Sequence, residues 1–277
     1  MTEPLEAQIL LLEERIAQVE KAASAVLGRV RGVRKRIAAG DITQLGPLLD
    51  QATQLLEPVS DGLGATRGAL AYDPATALSD GSYLAELKAE AAAQGLVLTE
   101  RDGRLTAFPV LLRLLPQQAA LRVGGKIERR LRPSLVVREL RRRQAATSFN
   151  AGAFLARLFR AYAWVAPHSD ARWRPDAPGD GPVVTLADIH DVLSLGGADY
   201  PPEAFAVDLL RLDRAPDTRT RQGHRFALPA STGTKGRGRI GVYDEAGVEH
   251  VYFGIRFTRD AGEAANGQGG AGGGSAR

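Results

Sequence analysis

The side chains able to do chemistry in this sequence are overwhelmingly guanidinium groups. Arg129, Arg130, Arg132, Arg138, Arg141 and Arg142 crowd into one short stretch, and Lys235, Arg237 and Arg239 alternate with glycine in the segment 231–239. Guanidinium and ammonium groups with backbone N–H donors suit phosphate oxygens, whose binding needs charge but little fixed geometry. Residues 101–160 hold fourteen Arg and Lys against Asp102, Glu128 and Glu139, whereas 161–210 hold Arg172 and Arg174 against eight acids. Segregation of this kind is an electrostatic footprint for nucleic acid, and an acidic partner protein would select it equally. The segment 231–239 resembles a nucleotide-binding P-loop only in composition, because the G-x-x-x-x-G-K-[ST] spacing is absent. A solvated loop on an Arg-rich protein explains it as well.

Catalytic constellations are scarce. Asp188, His190 and Asp191 form the one tight cluster of histidine and carboxylates. On a helix, positions 188 and 191 share a face from which His190 points away. There is no H-E-x-x-H and no G-x-S-x-G, and His168, His224 and His250 are isolated along the chain. Acids and histidines distant in sequence can converge in a fold, so metal-dependent phosphodiester chemistry stays open, with Asp188 as its first candidate. Gly62-x-Gly64 follows no strand and lacks dinucleotide-loop spacing. With no cysteine, disulfides, thiolate zinc sites and cysteine nucleophiles are excluded. No catalytic residue, metal ligand or cofactor is assigned.

The chain has 277 residues, 44% of them apolar, 25% charged, and a net charge of +4, which suits a globular protein of more than one domain. No segment is apolar for long enough to span a membrane and none has signal-peptide character, so a cytoplasmic location and no membrane partner are expected. The basic residues are almost all Arg, with Lys only at 21, 35, 88, 126 and 235. Global charge is therefore weaker evidence than its distribution.

The elements that must position these groups begin with one long helix. Leu5, Ile9, Leu12, Ile16, Val19, Ala23, Val26, Val30, Val33 and Ile37 alternate at spacings of four and three, the seam of a coiled coil. Leu10, Leu11, Ala17 and Ala25 widen the stripe beyond a two-helix seam. Gly28 and Gly32 would let a neighbouring backbone approach. Glu3, Glu6, Glu13, Glu14 and Glu20 occupy the first half, and Lys21, Arg29, Arg31, Arg34, Lys35 and Arg36 the second, so antiparallel copies would be complementary. Leu5, Ile9, Leu12, Ile16, Val19, Val26 and Val30 are the expected oligomerisation residues. Gly40 ends the helix and Asp41 is a candidate cap. A second helix is expected over 47–59, kinked or ended by Pro58, to pack against the first. The glycines at 62, 64, 68 and 81 make 60–81 read as a loose connection.

Beyond it the pattern predicts a helix over 83–93 and an antiparallel meander. Asp102-Gly103 signals a two-residue hairpin that places Leu96, Leu98, Leu105 and Ala107 on one face. Around Gly124-Gly125 a three-residue loop would pair Val123 with Ile127 and Arg122 with Glu128. A helix over 135–144 follows, with Arg138, Arg141 and Arg142 opposite Val136, Val137 and Leu140. Ser148 is the expected cap of a helix carrying Phe154, Leu155, Leu158, Phe159 and Tyr162. A linker occupies 166–182, and Thr185 caps a helix over 186–195. Another helix starts at Pro201-Pro202, and strands are expected over 225–228, 240–243 and 248–257. The tail after Asp260, rich in Gly and Ala, reads as disordered.

These elements amount to an α+β protein with an N-terminal coiled-coil helical hairpin (1–72), a small helix-flanked antiparallel β-meander (82–146), a C-terminal winged-helix-like domain (147–260) and a tail (261–277). The order of helix, helix, turn, helix and hairpin in the last third is that of a winged helix-turn-helix. Its presumed recognition helix, however, carries Glu203 and Asp208, which repel phosphate. The expected function is a non-enzymatic accessory protein that contacts the phosphate backbone of nucleic acid through the nine basic residues named first and oligomerises, or docks on a helical partner, through its coiled coil. The alternatives are an adaptor subunit without nucleic-acid binding, and the metal-dependent enzyme.

Overall fold

The computed structural model describes residues 3–101, 103–146, 148–195, 200–229 and 239–260. In chain order the helices and strands are α1 (Leu5–Ala38), α2 (Leu45–Gln54), α3 (Leu56–Ala69), α4 (Pro74–Asp80), α5 (Ser82–Ala93), β1 (Thr99–Arg101), β2 (Arg104–Ala107), β3 (Val110–Leu115), β4 (Ala120–Val123), β5 (Lys126–Glu128), α6 (Pro133–Ala146) and α7 (Ala151–Ser169). Then come β6 (Gly179–Asp180), β7 (Val184–Thr185), α8 (Leu186–Ser194), α9 (Pro202–Asp213), β8 (His224–Ala227), β9 (Ile240–Tyr243), β10 (Glu249–Tyr252) and β11 (Gly254–Arg259). The protein is thus a mixture of helix and sheet opened by one long helix. It divides into two compact units, Met1–Leu96 with Arg113–Leu140, and Val97–Leu112 with Arg141–Arg277.

In the first unit α1 packs along α2 and α3. Leu5, Val19 and Val33 are buried on the inner face of α1, while Ile16, Ala23, Val30 and Ile37 of the same seven-residue pattern lie exposed. The seam read from sequence is therefore two series, of which only one faces the partner helix. Helix α3 continues through 60–69, where a loose connection was expected. Packing along α1, with Val59, Gly62, Thr66 and Ala69 half-buried on the inner face, offsets the glycine entropy cost of about 1 kcal/mol each. The chain turns at Leu55, and Pro58 has no N–H to donate to the carbonyl of Gln54, the last residue of α2. Nothing lies within 4 Å of a Cβ added at Gly28 or Gly32. The close approach is at Gly62 instead.

Pro4 cannot cap α1 with a side chain, and a distant residue supplies the acceptor. The Glu86 carboxylate on α5 receives the backbone N–H of Leu5 at 2.9 Å and of Glu6 at 2.7 Å. Negative charge there also matches the positive end of the helix dipole. Asp41 accepts from Arg36 and Thr43 and caps no helix. The β4–β5 hairpin pairs Val123 with Lys126 and Arg122 with Ile127, so its loop is two residues, not three. Gly124 and Gly125 both have positive φ (53° and 82°), which allows the tighter turn matched to strand twist.

The second unit contains the antiparallel ladder β1–β2–β3, with Arg101 paired to Arg104 and Leu105 to Leu112. Asn150, not Ser148, caps α7, accepting from the Ala153 N–H at 2.9 Å. Thr185 caps α8 as expected. The segment 248–257 is two strands: β10 pairs with β9, while β11 pairs with β6, β7 and β8. Gly254 at the break leaves no room for a side chain, since a Cβ would lie 2.8 Å from the Val184 carbonyl. Two hydrophobic clusters fill this unit. Phe154, Leu155, Leu158, Phe205, Leu209 and Phe257 belong to one, and Ala206, Val207, Leu210 and Val242 form the other.

Candidate nucleic-acid interface

The arginine stretch 129–142 divides into two kinds of residue. Arg130 is locked to Glu128 by two charge-assisted bonds of 2.9 Å and 2.6 Å, and those donors with the Arg130 N–H hold the Glu128 carboxyl down at about 2. Arg132 reaches Glu6 at 2.8 Å and Glu13 at 2.6 Å on α1. The same Glu6 accepts from the Ser134 N–H and hydroxyl at the start of α6. Partial burial opposes ionisation of Glu6, but the Arg132 and Ser134 donors keep its pKa below the ordinary carboxylate value. Arg132 thus belongs to the framework that joins α1 to α6.

Arg129, Arg138, Arg141 and Arg142 are exposed. On α6 the arginines at 138, 141 and 142 stand on the side away from Val136, Val137 and Leu140, which are buried. Glu139, the one acid of this helix, is half-buried. Lys235 and Arg237 lie outside the described residues. Arg239, with Arg101 and Arg104, lines a cleft of about 190 Å³ in the second unit, backed by Val207 and Val242. Arg104 forms an ion pair with Glu203 there, and Arg101 reaches Glu249 at 2.5 Å. Carboxylates already answer part of the charge in this cleft.

Helix α9 has no face to offer a groove. Phe205, Leu209 and Leu212 enter one hydrophobic cluster while Ala206, Val207 and Leu210 enter the other. Its acids point to neighbours within the unit. Glu203 meets Arg104, and Asp208 accepts a 2.7 Å bond from the Tyr200 hydroxyl. Burial raises the Asp208 pKa against the pull of that bond and of Arg211 and Arg157.

The cluster Asp188, His190, Asp191 does not assemble a site. Asp188 accepts from the Thr185 hydroxyl at 2.6 Å at the α8 cap. His190 bonds the Tyr200 carbonyl at 2.8 Å through Nε2, its ring beside Phe205. Among the described residues no three His, Asp or Glu side chains are grouped so as to hold a metal ion, and no helix is long and apolar enough to cross a membrane.

Two features escaped the sequence reading. Trp164 is 70% exposed on α7, four residues after the exposed Arg160. The signal was present, for Trp164 falls off the stripe made by Phe154, Leu155, Leu158, Phe159 and Tyr162. The second is Asp244 in the β9–β10 turn. It accepts from His250 Nε2 at 2.9 Å, from the Val248 N–H at 2.9 Å, from the Ala246 N–H at 3.0 Å and from Arg214 at 2.8 Å, and these donors hold its carboxyl at about 2. Arg214 also pairs with Glu245 at 2.7 Å, so the group clamps the turn. No protein family, curated protein or solved structure matches the chain.

Proposed function

We propose that the protein is a non-enzymatic accessory factor that binds the phosphate backbone of nucleic acid without reading sequence. One observation carries this reading: Arg138, Arg141 and Arg142 line the exposed side of α6, with Arg129 exposed just upstream. Exposed guanidinium groups on one helix face suit phosphate contact and impose no preference among bases. Arg239 and the segment 231–238 contribute a second basic contact, and Trp164 beside Arg160 offers an exposed ring for stacking.

The second unit fits a winged-helix-like core. Helices α7, α8 and α9 form the helical part, and β11 lies between β7 and β8 in the sheet. An enclosed α9 argues for using this core as a scaffold, with duplex contact at the arginines rather than in the major groove. Fluorescence anisotropy with a labelled duplex tests the proposal. Affinity should fall linearly with salt on logarithmic axes, and charge reversal at 138, 141 and 142 together should abolish it. Absence of binding at low salt would remove the proposal.

The adaptor reading has its own support in the exposed apolar side chains of the α1–α3 hairpin. It predicts capture of a specific protein from the native host and no response to nucleic acid.

A further inference from the structure

The helical hairpin hides a second apolar series. On α1, Ile16, Ala23, Val30 and Ile37 recur every seven residues and are exposed, Ile37 to 61%. Across α2, α3 and their flanks, Ile42, Leu49, Leu56, Leu63 and Leu70 recur every seven residues, open over 50% to 76% of their surface. The two strings lie abreast. The helices run antiparallel, with Val19 against Gly62 and Arg15 donating to the Ala65 carbonyl at 3.3 Å. In that register Ile16 stands beside Leu63, Ala23 beside Leu56, Val30 beside Leu49 and Ile37 beside Ile42. Each string sits four residues beyond an inward series, Leu12, Val19, Val26 and Val33 on α1, and in an antiparallel pair such positions fall on one flank. The opposite flank differs: a groove there mixes Glu14, Arg15 and Gln18 with Leu11, Ala22 and Pro58.

We infer that this ladder is the interface for a second copy of the chain, laid antiparallel about a two-fold axis near Ala23 and Leu56 to give a four-helix bundle. Charge selects the occupant. Near this flank the first half of α1 carries Glu20 and Glu13, the latter shared with Arg132, and the second half Arg31 and Arg34, so an antiparallel copy sets acid against base and a parallel one sets like against like. The area suffices. Four rungs at seven-residue intervals span about 32 Å and two helices about 20 Å, or about 640 Å² per copy, at the lower end of a standard specific interface. The small Ala23 at the centre lets the helices approach where the axis passes. The inference is independent of nucleic-acid binding, because it is read from mass and cross-linking alone.

Light scattering and sedimentation of the full-length chain test it. The expected mass is twice the 29.5 kDa of one chain. Leu49→Glu with Leu56→Glu should return the monomer mass with unchanged helical circular dichroism, since both side chains are exposed. Because the chain has no cysteine, single substitutions report the register. Ala23→Cys copies should join through a short bis-maleimide. Ile37→Cys copies should not join to one another but should join when mixed with Ile9→Cys copies. Four results would overturn the inference: a wild-type monomer at every concentration up to the solubility limit, a dimer untouched by the double glutamate variant, efficient linkage of Ile37→Cys to itself, or a flank occupied by a different protein while the chain alone stays monomeric.

Discussion

A Cβ added to Gly62 would stand 2.6 Å from Cγ2 of Val19, closer than any two carbon atoms rest without bonding. The α1–α3 packing is thus set by the absence of a side chain at one position. Gly64, two residues on, has nothing within 4 Å of the same point. Gly62→Val is expected to cost about 1–3 kcal/mol through overpacking. Gly64→Ala is expected to gain about 0.5–1 kcal/mol from helix propensity. Urea denaturation of both variants measures the pair, and equal effects of the two would contradict the close approach.

Asp244 and Asp208 make opposite predictions for pH. The Asp244 carboxyl is held at about 2 by His250, backbone N–H groups and Arg214. A depressed carboxyl stabilises the fold above its unfolded pKa and loses that contribution as pH falls toward 2. Asp244→Asn should therefore lower the melting temperature at neutral pH and flatten the acid limb of the stability curve between about pH 4 and 2. An unchanged limb in the variant would refute the assignment.

Asp208 titrates in the other direction because burial raises its pKa. A raised carboxyl favours the fold at low pH, and that contribution is lost as pH rises from its unfolded value of about 4 through its raised folded value. Asp208→Asn keeps an acceptor for the Tyr200 hydroxyl and removes the buried charge. It should raise the melting temperature at pH 7 and leave it nearly unchanged at pH 3. Destabilisation at pH 7 would show that the ionised form is the favoured one.

The arginines of 129–142 should separate by phenotype. Arg138→Ala or Arg141→Ala should leave stability within about 0.5 kcal/mol and reduce the salt slope of nucleic-acid binding by about one unit each. Arg132→Ala should instead lower stability by roughly 1 kcal/mol, since Glu6 and Glu13 lose their partner. A salt-slope change from Arg132→Ala without loss of stability would reverse this division.

Much of the local structure was legible because it depends on neighbours in sequence. The Thr185 cap, the pairing of β1 with β2, the start of α9 and the long first helix follow from short-range rules. What escaped depends on groups far apart in the chain. Glu86 caps a helix 80 residues upstream, and Arg132 is claimed by Glu6 across 126 residues. The glycine-rich 60–69 segment is helical only because α1 lies against it. Gly254 stands at the break between two strands because β7 pairs beside it, Gly254 opposite Thr185, and leaves no room for a side chain. The same limit applies to the candidate interface. Spacing alone placed Arg138, Arg141 and Arg142 on one face, but it could not show that Arg130 and Arg132 are engaged elsewhere.

Helix α9 also decides how the second unit comes apart. It supplies Phe205, Leu209 and Leu212 to one hydrophobic cluster and Ala206, Val207 and Leu210 to the other. Its departure would strip three of the four buried side chains from the second cluster and open the first, so the two are expected not to melt in sequence. Heat should dissolve them together, with α9 as the keystone whose removal drops both sides of the arch.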